Sequence, residues 1–271
     1  MRPQERLPTP YPRKRFGQNF LEPAWVAKVV RAIDPAPDET FLEIGPGRGA
    51  LTRPLAERVQ SLTAIEIDRD LAAELSRTAP ANVTVVDGDF LEIDLVRAGL
   101  ARPLHTAADF RVAGNLPYNV ASPILIKLRN LYASGIPIRD ATVMLQREVA
   151  DRLTAAAGTR DYGVLTVVIG HTARVERLLA LPPGAFRPAP KVHSALVRLT
   201  FHPPEPPVRD AAAFERLVRS VFTRRRKTLA NALAATRPDA ANALRTANLD
   251  GRRRPETLTI SEFGRLSDAL D

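Results

Sequence analysis

The sequence contains no cysteine and only four histidines among its 271 residues. The absence of cysteine excludes disulfides and thiolate metal sites, and four scattered histidines argue against a zinc site, so we expect no bound metal. Apolar runs stay well short of the roughly 18 residues of a membrane span, and the Pro- and Arg-rich N-terminus lacks the apolar stretch of a signal peptide. We therefore expect a cytoplasmic protein that does not associate with a membrane.

Lysine is also scarce, since five of the 39 basic residues are lysine and the other 34 are arginine. The formal net charge is +9 and the sequence pI is about 10.5. The planar guanidinium group suits bidentate contacts with phosphate, so this excess of arginine favours a nucleic-acid partner. A biased genome composition is the alternative explanation, because alanine and proline are abundant as well.

Strand-like and helix-like segments alternate from residue 40 onward, and an apolar content of 45% is enough to form a core. The pattern predicts strands at 40–45, 61–67, 82–88, 109–115 and 141–146, and helices at 50–59, 69–78 and about 120–132. Such alternation is typical of a mostly parallel sheet with helices on both faces. Two further strands, at 173–181 and 192–201, are predicted to form an antiparallel hairpin at the sheet edge.

The Pro-rich segment FHPPEPPV at 201–208 has no helix or strand pattern and is predicted to be a linker. We therefore predict an α/β domain over residues 1–204, which includes a basic N-terminal arm over 1–21, and a small helical domain over 205–271. Thr259 and Glu262, in the sequence TISE, match a capping box that would begin a helix in the second domain.

A glycine-rich turn at 42–52, LEIGPGRGALT, contains Gly45 and Gly47 between a predicted strand and a predicted helix. Glu66 ends the next strand and Asp89 follows the third. Because the carboxyl ends of parallel strands meet at one edge, we expect one crevice to hold all four. A carboxylate in the position of Glu66 can accept both hydroxyls of a ribose, which points to a nucleoside cofactor.

The glycine turn alone leaves three interpretations open: NAD, S-adenosylmethionine, or a tight turn without a ligand. Acidic and amide groups beside the turn suit an adenosine that carries a sulfonium and an amino-acid tail. They suit a pyrophosphate less well, because the anions would repel each other.

The segment Asn115-Leu116-Pro117-Tyr118 ends the predicted fourth strand, where the crevice should open. An exocyclic amine on a base is a poor nucleophile because its lone pair is delocalised into the ring. The side-chain oxygen of Asn115 and a backbone carbonyl held by the fixed φ of Pro117 could accept its N–H groups and localise the lone pair. Tyr118 offers a stacking surface, worth about 1–3 kcal/mol per base. The alternative is a loop in which the asparagine caps a helix and the tyrosine fills a gap in the core.

Further motifs occur in one order along the chain: RKRFGQNFL (13–21), EIGPGRGALT (43–52), GDFLEID (88–94), NLPYN (115–119), MLQREVADRL (144–153), FRPAPKVHSALVRL (186–199) and RRRKTLANAL (224–233). With these motifs the chain resembles the S-adenosylmethionine-dependent ribosomal RNA adenine N6,N6-dimethyltransferases over nearly its whole length. The resemblance is closest to the branch that dimethylates two adjacent adenosines near the 3′ end of small-subunit (16S) ribosomal RNA.

The resemblance implies a Rossmann-like class I methyltransferase domain, a small α-helical C-terminal domain and S-adenosylmethionine as cofactor. The partner would be RNA in the small ribosomal subunit (30S or its precursor), and we expect a monomer. It also implies cofactor contacts from Gln18, Asn19, Leu21, Gly45, Gly47, Glu66, Asp89, Phe90 and Asn115.

The implied catalytic residues are Asn115, Leu116, Pro117 and Tyr118, with Phe186 clamping the opposite face of a flipped adenine. A core position for Phe186 is the alternative. Ala121 departs from the family, which often has serine or threonine there, so one hydroxyl contact is in doubt.

Basic runs imply a docking surface for folded RNA, where phosphate contacts would position the substrate without reading its sequence. One helical turn within a predicted helix at 222–233 would carry Arg224, Arg225, Arg226 and Lys227, and the arm would add Arg13, Lys14 and Arg15. GRRRPE at 251–256 repeats the basic pattern. A solvated charged surface with no partner is the alternative.

Two other functions remain open. Related enzymes that dimethylate one adenosine of large-subunit RNA and confer macrolide resistance typically have isoleucine where this chain has Leu116. A non-catalytic assembly factor would bind RNA and use the cofactor only as a stabiliser, but it would have no use for amine acceptors at Asn115.

Overall fold

The computed structural model describes residues 18–97, 109–234 and 239–270. The strands are β1 (Phe20–Leu21), β2 (Thr40–Ile44), β3 (Ser61–Glu66), β4 (Val83–Asp87), β5 (Phe110–Asn115), β6 (Ile138–Gln146), β7 (Ala173–Leu181), β8 (Phe186–Arg187) and β9 (Ser194–Phe201). The helices are α1 (Pro23–Ile33), α2 (Thr52–Ala56), α3 (Arg69–Thr78), α4 (Ala121–Ala133), α5 (Arg147–Leu153), α6 (Val164–Gly170), α7 (Ala211–Thr223), α8 (Leu229–Ala234), α9 (Ala240–Thr246) and α10 (Ile260–Leu270). In these ranges, no helix has both the length and the apolar character needed to cross a membrane.

Seven strands form one sheet in the order β4-β3-β2-β5-β6-β9-β7. The first five run parallel to one another, and β9 pairs antiparallel with both β6 and β7. The predicted mostly parallel sheet with an antiparallel edge hairpin is therefore confirmed. The strand order reverses between β2 and β5, and ligands bind outside the carboxyl ends of the strands at such a reversal.

Two apolar clusters cover the two faces of this sheet. Val112, Leu125 and Val143 belong to the cluster on the side of α4, and Ile33 and Phe41 belong to the cluster beneath α1. Because both faces are covered, apolar residues form the majority in the central strands, as expected for parallel strands, and the polar residues lie mostly near the strand ends.

A third apolar cluster is built mainly from α7 to α10, but it also contains Tyr162, Val167 and Val168. The buried guanidinium of Arg129 on α4 also lies 3.0 Å from the carboxylate of Glu215 on α7. The C-terminal helices thus pack directly on the α6 region, and the division at residue 204 stays a prediction.

The capping box that was predicted from TISE is present at the start of α10. The Thr259 amide donates to Glu262 Oε2 at 2.8 Å, and the Glu262 amide donates to Thr259 Oγ1 at 3.2 Å. Both exchanges satisfy amides that the first helical turn leaves without a partner.

The predicted helix at 222–233 is wrong, because α7 ends at Thr223 and α8 begins at Leu229. The amide of Arg224 bonds to the Val221 carbonyl and that of Lys227 bonds to the Arg224 carbonyl, a tighter turn than an α-helix makes. The first amide of α8, that of Leu229, bonds to the carbonyl of Arg253 at 2.7 Å. The four basic residues 224–227 therefore occupy a turn between two helices.

Candidate active site

The carboxyl ends of β2, β3, β4 and β5 form one crevice that contains the predicted strand-end residues. A cavity of about 70 Å³ is lined by the arm segment 18–21 and by strand-end residues that include Gly45, Glu66 and Asn115. An adjacent cavity of about 240 Å³ is lined by Asp89 and Phe90 and by Val120 and Ile124 of the α4 region. Gly45 and Pro117 line both cavities, so the two are contiguous.

Glycines at two positions let chain segments approach this crevice. Gly47 has φ of +57°, and a Cβ there would lie 2.9 Å from the Phe20 ring of the arm. At Gly114, just before Asn115, a Cβ would lie 2.6 Å from the carbonyl oxygen of Ile44. The arm and β5 thus reach their places only because these side chains are absent.

Glu66 is buried at the end of β3, and both carboxylate oxygens accept backbone amides. Oε2 accepts from Gly47 at 2.8 Å and Oε1 accepts from Asp68 at 2.9 Å. Burial raises the pKa of Glu66, and no ion pair is found for it among the described residues. Each oxygen retains further lone-pair capacity, so the carboxylate can still accept hydroxyl groups from a ligand.

Glu43, near the end of β2, is a buried carboxylate that sequence reasoning missed. It is 1% exposed, it lines the smaller cavity, and its Oε2 has no hydrogen-bond partner in the described part of the chain. Burial, with a smaller contribution from the charge of Glu66, raises the pKa of Glu43 to about 7. A lone carboxylate within the apolar strand TFLEI was the available signal.

Asn115 is oriented by the N-terminal arm, because its Nδ2 donates to the backbone carbonyl of Asn19 at 2.6 Å. This bond leaves the side-chain oxygen Oδ1 as the acceptor available to a ligand. The Leu116 side chain is buried and its amide bonds to the carbonyl of Met144, so its backbone alone reaches the crevice.

Tyr118 is half-buried at the rim of the smaller cavity, with its hydroxyl 2.7 Å from Ser194 Oγ. Burial raises the pKa of Tyr118, so the phenol stays neutral at physiological pH. Ser194 is a second residue that sequence reasoning missed, and only its place in the motif FRPAPKVHSALVRL could have indicated it.

The predicted stacking role of Phe186 is wrong for this structure, because the ring has no exposed surface. Phe186 belongs to β8, which pairs with β1 of the arm so that Leu21 lies opposite it. The amide of Glu22 also bonds to the Ala185 carbonyl at 2.8 Å. The arm covers β8, and the aromatic ring is therefore part of the core.

The arm segment 18–21 is held against the crevice by several contacts. Gln18 Nε2 donates to Asp68 Oδ2 at 3.2 Å, and the guanidinium of Arg48 lies 4.5 Å from the centre of the Phe20 ring. The predicted cofactor contacts Gln18, Asn19 and Leu21 all line the smaller cavity. Arg13, Lys14 and Arg15 lie outside the described residues.

In the turn after α7, Arg224, Arg226 and Lys227 are exposed. Arg225 is partly buried, donates to the Thr159 carbonyl at 3.2 Å and lies 3.9 Å from a carboxylate oxygen of Glu256. GRRRPE makes a weaker candidate surface, because two of its three arginines form ion pairs, with Asp250 and Glu262.

This strand order, with a glycine turn after β2 and acidic residues at the ends of β3 and β4, is that of the Rossmann-like class I methyltransferase fold. A family model described as ribosomal RNA adenine dimethylase matches residues 11–271. The chain belongs to this family, and the predictions of the family and of an enzyme are confirmed.

Two curated relatives are both called ribosomal RNA small subunit methyltransferase A. The protein from Aromatoleum aromaticum is 45% identical over 93% of this chain and 91% of its own length. The protein from Acinetobacter baylyi is 43% identical over 95% of this chain and 92% of its own length.

Solved structures confirm the fold. The 23S ribosomal RNA methyltransferase ErmE has a TM-score of 0.66 and 28% identity, over 93% of this chain and 99% of its own. A dimethyladenosine transferase from Plasmodium falciparum has a TM-score of 0.70 and 22% identity, over 91% and 95%. Membership of a methyltransferase family with this fold implies S-adenosylmethionine as methyl donor.

Proposed function

We propose that this protein transfers methyl groups from S-adenosylmethionine to N6 of two adjacent adenosines near the 3′ end of small-subunit ribosomal RNA. The observation that carries the chemistry is Asn115, whose Nδ2 is bonded to Asn19 while Oδ1 is left for an amine at the cofactor crevice. The choice of the small subunit is supported by the names of relatives that are 45% and 43% identical over most of the chain.

The residues of the crevice fit S-adenosylmethionine, a ligand with a sulfonium and an ammonium group. Glu43 and Glu66 are buried carboxylates without a cation in the described structure, and a cationic ligand would supply one. In the proposed arrangement Glu66 accepts the ribose hydroxyls, and Asp89 and Phe90 contact the adenine in the larger cavity. Gly45 and Gly47 lie beside the methionine part, and Gln18, Asn19 and Leu21 cover the cofactor from the arm.

When bound, S-adenosylmethionine supplies a methyl carbon that is activated by its positively charged sulfur. The protein's task is to make the adenine amine nucleophilic and to align it. In the first transfer, Asn115 Oδ1 and the backbone carbonyl of Leu116, which precedes the rigid Pro117, would each accept an N–H of that amine and localise its lone pair. In the second transfer, one of the two would accept the single N–H that remains. Tyr118 would stack on the base, with its ring held by Ser194. Alignment for in-line transfer supplies much of the rate. As the S–C bond breaks and the N–C bond forms, the nitrogen becomes a strong acid that loses its proton to water, so no general base is required.

RNA docking is proposed for the turn after α7 and for the basic arm. Arg224, Arg226 and Lys227 are exposed, and we assign Arg13, Lys14 and Arg15 of the arm to the same role. Arg225 would contribute less, because it already bonds within the chain. Each phosphate contact that is removed should lower the slope of log affinity against log salt by about 1. The test is filter binding of small-subunit RNA by the triple variant R224A/R226A/K227A, with Arg69→Ala as an exposed control.

The decisive experiment is methyl transfer to unmodified small and large ribosomal subunits side by side, followed by nucleoside analysis. We expect N6,N6-dimethyladenosine at two adjacent positions in the small subunit, with many turnovers per protein. Product in the large subunit alone would identify the macrolide-resistance type. Binding to small subunits without turnover would identify an assembly factor. We expect the reaction to occur in the cytoplasm, where bacterial subunits are assembled.

A further inference from the structure

Lys127 lies on α4, the helix that begins three residues after Tyr118, but its ammonium group contacts the loop after β4. Nζ donates to the backbone carbonyls of Phe90 at 2.6 Å, Leu91 at 3.1 Å and Ile93 at 2.6 Å. It also lies 5.1 Å from the centre of the Phe90 ring. An ammonium group has three donors, so these carbonyls use all of them.

The same loop is bonded from its other side by Asp89. Asp89 Oδ1 accepts the amide of Leu91 at 2.8 Å, and the Asp89 carbonyl accepts the amide of Ile93 at 2.9 Å. Asp89 thus satisfies amides of the loop, while Lys127 satisfies its carbonyls. The loop has no helix or strand of its own, so these bonds and the packing of the buried Phe90 side chain define its position.

The loop and α4 face each other across one cavity. Asp89 and Phe90 line one side of the 240 Å³ cavity, and Val120 and Ile124 line the other. Ile124 and Lys127 are three residues apart and lie on neighbouring positions of the helix surface. The bonds from Lys127 therefore fix the distance between the two sides of this cavity.

Lys127 is partly buried, and burial lowers its pKa, against the opposing charges of Asp89 and Asp94. Holding an ammonium group in such a place is unfavourable unless fixed acceptors surround it. The converging carbonyls supply them, so the contact is a specific one and not a side chain resting on the surface.

We propose that Lys127 is a positioning residue for the adenine end of the cofactor crevice. It holds the loop 89–93 against α4, so that Asp89 and Phe90 present a fixed edge to the adenine ring. The proposal rests on the proposed function, because it takes an adenosyl cofactor as the ligand of the larger cavity. It also gives α4, which follows the Asn115–Tyr118 segment, a direct connection to cofactor recognition.

The test is calorimetric titration of the full chain with S-adenosylmethionine and with 5′-methylthioadenosine, a neutral thioether that keeps the adenosine part and lacks the amino-acid tail. Lys127→Met keeps the apolar stem and removes the donors. Lys127→Gln keeps two donors but cannot reach three carbonyls. Lys28→Met is the matched control, because Lys28 is an exposed lysine over Trp25 on α1.

We expect about tenfold weaker binding of both ligands for Lys127→Met and about fivefold weaker binding for Lys127→Gln, since hydrogen bonds to a charged group are lost. The control should stay within about twofold, and kcat at saturating cofactor should change by less than about twofold because the reacting groups are untouched. In a double-mutant cycle with Asp89→Asn the effects should be non-additive, because both residues act on one loop.

Unchanged affinity in Lys127→Gln, or additive effects in the cycle, would overturn the positioning role and leave the proposed function intact. A lower melting temperature with unchanged affinity would show a purely structural role and would overturn it as well. If the unaltered protein binds neither ligand, the proposed function fails together with this inference, and the two failures are thereby distinguished.

Discussion

The buried carboxylates at the amino ends of the parallel strands have different partners from those at the carboxyl ends. Those at the amino ends pair with arginine, and those at the carboxyl ends do not. At the amino ends of the strands, the buried Arg111 of β5 bonds to Asp140 at 2.8 Å, to Glu39 at 2.9 Å and to the Ile33 carbonyl at 2.7 Å. Although burial acts to raise it, hydrogen bonds from Ala36 and Arg111 hold the pKa of Glu39 below its usual value. The deeper burial of Asp140 raises its pKa, and the charge and hydrogen bond of Arg111 oppose that rise.

At the carboxyl ends, Glu43 and Glu66 are just as buried, but no arginine or lysine pairs with them in the described ranges. Burial raises the pKa of both, to about 7 for Glu43. Burying a carboxylate without a cation is unfavourable, and proteins retain such an arrangement mainly at functional sites. The Arg111 network at the amino ends stabilises the fold. We infer that Glu43 and Glu66, at the carboxyl ends, are kept without a cation so that they can bind a cationic ligand.

The largest expected effect is a loss of stability when the Arg111 network at the amino ends of the strands is broken. Arg111→Met leaves Asp140 buried beside an uncharged side chain and leaves Glu39 with Arg139 as its ion-pair partner. It should lower the free energy of unfolding by about 3–5 kcal/mol. Urea denaturation measures this value. Arg58→Met, at a half-exposed position, should change it by less than about 0.5 kcal/mol. A loss as small as that of the control would mean that the Arg111 network does not stabilise the fold.

The next largest effect is expected on catalysis, when the proposed amine acceptor Asn115 is removed from the crevice. Asn115→Ala should lower kcat by about 10²–10³-fold, the usual effect of removing one preorganised hydrogen-bonding group. RNA binding and the urea midpoint should stay near those of the unaltered protein. Asn130→Ala, an exposed asparagine on α4, is the control in the same transfer assay. Substantial activity in Asn115→Ala would contradict the acceptor role.

A smaller effect is expected from Glu66→Gln. It should weaken ligand binding and leave stability nearly unchanged, whereas Arg111→Met should lower stability. The variant loses a charged acceptor for the ribose, so the Kd for S-adenosylmethionine should rise by about tenfold to a hundredfold. Stability should change by less than about 1 kcal/mol, because removing a buried charge without a cation offsets the loss of an acceptor for one of the two backbone amides that Glu66 bonds. Calorimetry and urea denaturation of the same preparation measure both quantities. A destabilised variant with unchanged Kd would show that Glu66 stabilises the fold and does not bind the ligand.

The smallest effect is a pH dependence through Glu43. With a pKa of about 7 in the free protein, Glu43 is mostly protonated at pH 6 and mostly ionised at pH 8. A cationic ligand favours the ionised form, so binding releases a proton below pH 7 and affinity rises with pH, by up to about tenfold between pH 6 and 8. Glu43→Gln should show a shallower slope in the same titrations. Equal slopes would place the cation away from Glu43.

Local patterns in the sequence predicted most of the sheet. The spacing of apolar residues predicted a strand at 173–181 and a helix at 69–78, and the structure has β7 and α3 at these positions. These elements are defined by side-chain periodicity and by local caps such as that of Asp68 on the amide of Asp70. Each signal lies within a few residues of the element that it defines.

Contacts between distant segments caused the errors. The burial of Phe186 depends on pairing with β1, more than 160 residues earlier, and the break before α8 depends on the carbonyl of Arg253. Neither partner leaves a mark in the local pattern. The same reason hid Lys127, a single lysine in an apolar helix whose acceptors lie more than 30 residues away.

The most direct test of the role inferred for Glu43 and Glu66 is calorimetric titration of the unaltered protein with S-adenosylmethionine and with NAD. If the carboxylates select a cation, S-adenosylmethionine should saturate one site per chain, and NAD, with its pyrophosphate, should show no competing binding. NAD binding to the same site with similar affinity would contradict the assignment of this crevice.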